Sequence, residues 1–307
     1  MGISFWVFPL LATKLLVYLG VSAAIGGVFM AYMLSQREEL RSVVSAYIQL
    51  FVSLAVLSTI LGFYLQVGAF SEEGLSGMWD VEVAAILWDS PIGDAVLFRV
   101  TGFFIVLITI SVQNHWAQNA RLYHWRKAVV IFSFFVGALV LVRSFSLVGH
   151  TAELEPVYQG LISLHVFIAA WWMGALWPLW RACSTRNSIG NNLFLHSLME
   201  KFGQFAAFLV PLLIACGCII GFQLIGSLAE FQDTAYGQLF SIKLLSVIAI
   251  LILATWHKLN LVPKLLGRKN GEKTLALSIR IEMIIGLIVL VATVIVANRV
   301  GPEHSGF

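Results

Sequence analysis

Eight stretches of this chain are apolar enough, over enough residues, to cross a lipid bilayer, and that pattern leaves little choice of fold. They run roughly over residues 5–34, 42–69, 93–114, 127–148, 157–181, 202–228, 236–257 and 280–298. About 20 apolar residues coiled as a helix span the hydrocarbon layer, where every backbone N–H and C=O must find a partner within its own segment. Only 11% of the residues are charged, against roughly 25% in a soluble domain, so there are too few polar groups to cover a water-facing surface. The expected fold is all-α: a polytopic membrane protein of eight transmembrane helices. Stretches one, two and six exceed the usual span, which predicts tilt or short extensions into water. Residues 1–20 lack a basic start and their apolar run continues past any plausible cleavage site, so the first helix is expected to be retained.

The connecting loops divide by charge. Arg37 and Arg41, then Arg121, Arg126 and Lys127, then Arg181, Arg186 and Lys201, then Lys258, Lys264, Arg268, Lys269, Lys273 and Arg280 lie on one side. The opposite loops, 70–92, 149–156 and 229–235, contain no Lys or Arg. The excess of basic residues in cytoplasmic loops then puts the basic side inside and both termini outside. The outer face is acidic, with Glu72, Glu73, Asp80, Glu82, Asp89, Glu153, Glu155, Glu230 and Asp233. Such a face either gathers cations or is simply solvated. Met78 and Trp79 in the same long loop offer a thioether and an aromatic face to a soft cation.

Short motifs recur at a nearly constant offset. Ser90-Pro91-Ile92-Gly93 precedes Arg99 as Thr234-Ala235-Tyr236-Gly237 precedes Lys243, 144 positions on; Ile25-Gly26-Gly27-Val28-Phe29 parallels Met173-Gly174-Ala175-Leu176-Trp177, 148 positions on. Four helices in each half make the two units parallel repeats, residues 1–148 and 149–307.

Ionisable residues inside spans are costly and default to functional or pairing roles. Arg99 and Lys243, two turns in from the outer surface, either snorkel or position an acidic outer site without binding metal themselves. Glu282 is placed at the opening of the last helix beside Arg280, and is expected to be paired. His115, His124, His196 and His257 fall among basic residues at the cytoplasmic ends and read as interfacial. His150 and His165 differ: one ends helix four, the other lies two turns into helix five, and a connection of about ten residues folds those helices together. Flanked by Glu153 and Glu155, the two imidazoles point to a metal or haem site. Met173 lies eight residues beyond His165, about 12 Å along a helix, and serves only a deeper position on a path. Trp172 adjoins it. Cys183, Cys216 and Cys218 read as packing residues. No nucleotide-binding loop, HExxH, Gly-x-Ser-x-Gly or paired CxxC occurs, so no enzymatic activity is expected, and the basic loops are too short for nucleic acid.

At these positions the chain resembles the copper resistance D (CopD) family of inner-membrane proteins. The likeness rests on Gly149-His150, His165 followed by Trp172-x-Gly174-Ala175-Leu176, Thr234-x-Tyr236-Gly237 with Lys243, Pro263 and Glu282. It runs through most of the chain and is densest from 149 to 300. The resemblance implies copper movement from periplasm to cytoplasm beside a small periplasmic copper-binding partner, with His150 and His165 as ligands and Glu153 or Glu155 adding oxygen. Met173, Trp172, Arg99, Lys243, Met78 and Glu282 would surround the site or line the path. With seven methionines and no Met-x-x-x-Met ladder, a Met-lined Cu(I) conduit is not indicated, and Cu(II) or a mixed site fits as well. Two readings compete: a haem b redox protein using the same histidines as axial ligands, and a sensor subunit that binds copper without transporting it.

Overall fold

The computed structural model describes residues 5–71, 73–116, 123–149, 152, 154–184, 189–224, 235–266 and 271–299. Among these residues the regular structure is helical, and seven helices are long and apolar enough to cross a membrane. Helix α1 covers Val7–Met33 and contains one π-helical turn at Ala23–Gly27. Helix α2 is Glu38–Ser71, α4 Pro91–Trp116, α6 Pro156–Cys183 and α7 Ile189–Leu224. Helix α8, Ala235–Trp256, continues through a π turn at His257–Leu261 and a 3-10 turn at Pro263–Leu266, and α9 is Gly271–Arg299. The remaining sequence-predicted span falls on α5, Tyr123–Arg143, whose apolar part, Ala128–Arg143, is shorter than the others.

Several boundaries differ from the sequence reading, the largest at α7, which starts at Ile189, 13 residues before the expected 202. The long acidic loop is not irregular: a 3-10 turn at Gly74–Trp79 leads into α3, Val81–Trp88. Asp80 caps that helix, its carboxylate accepting the Glu82 and Val83 amides at 2.9 and 3.1 Å. It satisfies two amide groups that an N-terminus leaves open. Helix α9 starts at Gly271, nine residues before the expected 280, because a polar first turn with a buried Glu272 is invisible to a hydropathy window. Glu282 therefore lies three turns inside the helix rather than at its opening.

The core forms where α1, α2, α4, α5, α6 and α9 meet, and Ile25, Met30, Ile48, Phe103, Leu141 and Ile279 are fully or almost fully buried in it. Helix α6 is its hub. Trp171 stacks on Phe202 of α7 at 4.9 Å and meets Phe29 of α1 edge-on at 5.4 Å. Trp177 stacks on Tyr47 of α2 at 4.6 Å. At Gly174 and Gly26 the backbones of α6 and α1 touch. A Cβ on Gly174 would lie 1.7 Å from the Ser22 carbonyl oxygen, and one on Gly26 2.3 Å from that of Trp171. Small residues allow this approach between membrane helices, where dispersion between close backbones replaces the hydrophobic drive. Helices α7 and α8 lie at the margin, with Phe208, Phe222, Leu245 and Ile252 turned outward, as lipid-facing side chains would be.

Candidate functional site

The turn between α5 and α6 is tied down by one side chain. Gly149 adopts φ +79°, a conformation open to glycine because it lacks a Cβ. The Ala152 amide then donates back to the Gly149 carbonyl at 3.0 Å. Gln159 of α6 donates from Nε2 to the carbonyls of Ala152 (3.1 Å) and Leu154 (3.0 Å), while its Oε1 accepts from Arg143 Nη1 of α5 at 2.8 Å. Arg143 of α5 thereby anchors this turn. Two of the sequence-predicted ligands, His150 and Glu153, lie outside the described residues. Glu155 is the residue before α6; its side chain makes no cap hydrogen bond and is exposed.

His165 sits two and a half turns into α6, half-buried against α7. Its Nδ1 lies 3.2 Å from the Leu213 carbonyl oxygen. A carbonyl only accepts, so Nδ1 carries the ring proton and Nε2 keeps its lone pair. Gly217 makes the space: a Cβ there would fall 3.1 Å from His165 Cε1. An imidazole held through one nitrogen by a carbonyl, with the other nitrogen free to ligate, is the usual arrangement of a metal-binding histidine. Lys243 lies within electrostatic reach of the ring.

The other expected residues are dispersed. Arg99 donates from Nε to Ser144 Oγ at 3.3 Å and lies over the Phe145 ring at 5.3 Å. It serves the end of α5. Met78 packs over Gly68 of α2 together with Trp6: a Cβ on Gly68 would lie 2.8 Å from Met78 Cγ.

A second polar group forms deeper in the bundle. Glu282 is only 2% exposed. Its Oε1 accepts from Trp172 Nε1 of α6 at 2.8 Å, and its Oε2 lies 3.3 Å from His257 Nδ1 at the end of α8. His257 Nε2 in turn lies 2.6 Å from Ser278 Oγ, one turn before Glu282 on α9. Met173 closes the same seam: a Cβ on Gly286 would lie 2.7 Å from its sulfur. Trp172, Met173 and Glu282 thus lie together, and His257, read from sequence as interfacial, joins them through Glu282 and Ser278. The missed signal was a histidine at the end of one apolar run and a glutamate inside the next. Antiparallel neighbours bring such residues to one depth. Among the described residues, no three His, Cys, Asp or Glu side chains form a metal-holding group.

Comparison with known proteins adds the chemistry. The family described as "Copper resistance protein D" matches residues 196–296, which contain Lys243, His257, Ser278 and Glu282 but not His165. That is narrower than the extent expected from sequence motifs. The chain is 25% identical over 203 residues to "Copper transport protein CutJ" of Bacillus subtilis (strain 168), an alignment covering 65% of this chain and 35% of that protein. The chain thus spans about a third of the curated relative's length. No solved structure matches it.

Proposed function

We propose that this chain, whose residues 196–296 belong to the copper resistance protein D family, moves copper from the periplasm to the cytoplasm across a bacterial inner membrane. The observation that carries the reading is His165, whose Nδ1 is engaged by the Leu213 carbonyl and whose Nε2 is left to ligate. His150 joins it as a ligand from the tied turn, with Glu153 and Glu155 adding oxygens. These nitrogen and oxygen donors suit Cu(II) as it arrives from outside. A small periplasmic copper-binding protein delivers the ion, and the acidic outer loops favour its approach.

The basic loops support eight spans with both termini in the periplasm. Two four-helix units, 1–148 and 149–307, enclose the path. That repeat draws support from Gly26 and Gly174, which its motifs align and which meet across the α1–α6 seam. Copper is cargo here and no covalent chemistry is assigned to the protein.

Metal content and the visible spectrum of the detergent-purified protein provide the test. Near-stoichiometric copper without a Soret band is expected, with His165→Ala and His150→Ala each losing copper and losing uptake into proteoliposomes. Unchanged copper content in both variants would remove the site. A Soret band without copper would make these histidines haem ligands instead, and binding without uptake would make the protein a sensor.

A further inference from the structure

The pair formed by Glu282 and His257 is no part of that copper site, yet it places a carboxylate in the interior of a membrane protein. An isolated ionised carboxylate there costs several kcal/mol, so the charge must be balanced by a proton or a cation. Among the described residues, the contacts of the Glu282 carboxylate are the Trp172 indole N–H and the His257 ring. Indole supplies a hydrogen bond but no charge. Balance therefore rests on one proton, held by Glu282 with a neutral imidazole or by His257 as imidazolium beside the carboxylate.

The nearby ionisable groups are otherwise engaged or distant along their helices. On α9, Arg280 lies over the Trp180 ring at 5.0 Å, and Glu272 lies near Cys183 of α6. On α8, Lys258 follows His257. On α7, which packs against the end of α8, His196 faces Glu200 at 3.7 Å and Lys201 is exposed. On α1, Lys14 donates to the Ala297 carbonyl, four turns beyond Glu282. A bridge needed only to join helices would be served by hydroxyls or amides. This one joins two groups that exchange protons, and adds a hydroxyl able both to donate and to accept.

We propose that Glu282 and His257 form a proton-exchanging site in the second half of the bundle, and that copper movement changes whether the pair holds its proton. The coupling rests on the copper reading above; the proton site does not. The step moves protons and no electrons. The Glu282 carboxyl proton passes to His257 Nδ1, giving carboxylate and imidazolium. The Nε2 proton then passes to Ser278 Oγ as the hydroxyl releases its own proton to a water molecule, leaving carboxylate, neutral imidazole, serine and hydronium. Trp172 is a positioning residue. It lies seven residues from His165 on α6, about 10 Å along the helix axis, so one rigid element touches both the copper ligand and the carboxylate.

Infrared difference spectra of the purified full-length protein between acid and alkaline pH test the site without copper. We expect a protonated-carboxyl carbonyl band in the wild type that is lost on raising pH and absent from Glu282→Gln. Trp172→Phe should retain the band at a shifted frequency, as for a carbonyl that has lost a hydrogen bond. No band in the wild type, or an unchanged band in Glu282→Gln, overturns the proposal. For the coupling, proteoliposomes loaded with a pH-sensitive dye are given copper. We expect a lumen pH change in the wild type that Glu282→Gln loses. Copper uptake with no pH change overturns the coupling and leaves transport standing. If wild-type vesicles take up no copper, the transport reading and the coupling both fall, and the infrared result alone decides the proton site.

Discussion

At Gly174, α6 meets α1 with no side chain between the two backbones; at Trp172, two residues earlier, it meets α9 through a hydrogen bond to a buried carboxylate. Neighbouring positions on one helix thus use opposite means of attachment. The glycine contact relies on dispersion and shape, works at one separation only, and carries no charge. The polar contact is directional and depends on protonation. One seam sets where α6 stands, and the other can change state while α6 stays in place.

The largest expected effect comes from filling the glycine seam. In Gly174→Leu, the new Cβ would meet the Ser22 carbonyl and drive the helices apart. A loss of about 3 kcal/mol or more is expected from this overpacking, read as early aggregation when heated samples are passed over a sizing column. A wild-type melting curve would mean the helices do not touch there. Next is Glu282→Ala, which strands the Trp172 indole N–H, leaves the His257 ring without its partner and should cost ~2–4 kcal/mol; denaturant unfolding in micelles measures it. A cost as small as that of a surface substitution would show the polar seam to be wet. Trp172→Phe removes a single hydrogen bond and should cost only ~1 kcal/mol, in line with hydrogen bonds between membrane helices. Smallest in stability is Gly217→Ala, where backbone faces a movable side chain rather than another backbone. Its methyl would press on the His165 ring 3.1 Å away. Unfolding should shift by less than ~1 kcal/mol while copper affinity falls about tenfold, as when an orienting partner of a ligand is lost. Calorimetric copper titration would decide it.

Much of the scaffold could be read before the structure was in hand, because crossing a bilayer demands long apolar runs and those runs are visible as such. Gly174 and Met173 were picked out by motif, and both sit in seams. The start of α9 was hidden because Glu272, Lys273 and Arg280 make its first turns look like loop, although Glu272 is buried. The partner of His257 was hidden for a related reason: next to Lys258 it resembles an interfacial residue, and Glu282 lies 25 positions on, across a turn. Hydropathy reports how much water a segment tolerates. It does not report which faces of two helices meet, and the Glu282 site exists only at that meeting. His165 shows the reverse: the residue stood out from sequence, but its orientation depends on the Leu213 carbonyl, which carries no sequence signature.

The two π turns, at Ala23–Gly27 and His257–Leu261, fix how the faces beyond them are aimed. Each closes i→i+5 bonds and so holds one residue more than an α turn, and such turns gather at functional sites. One contains Gly26 and the other begins at His257. Losing a residue from either would restore a regular helix and rotate everything beyond it by about 100°, roughly one position around a 3.6-residue turn. A relative one residue shorter in the first turn would lose the glycine seam, and one shorter in the second would turn its histidine away from the carboxylate. Helix length, counted to the residue, therefore decides whether each seam can form.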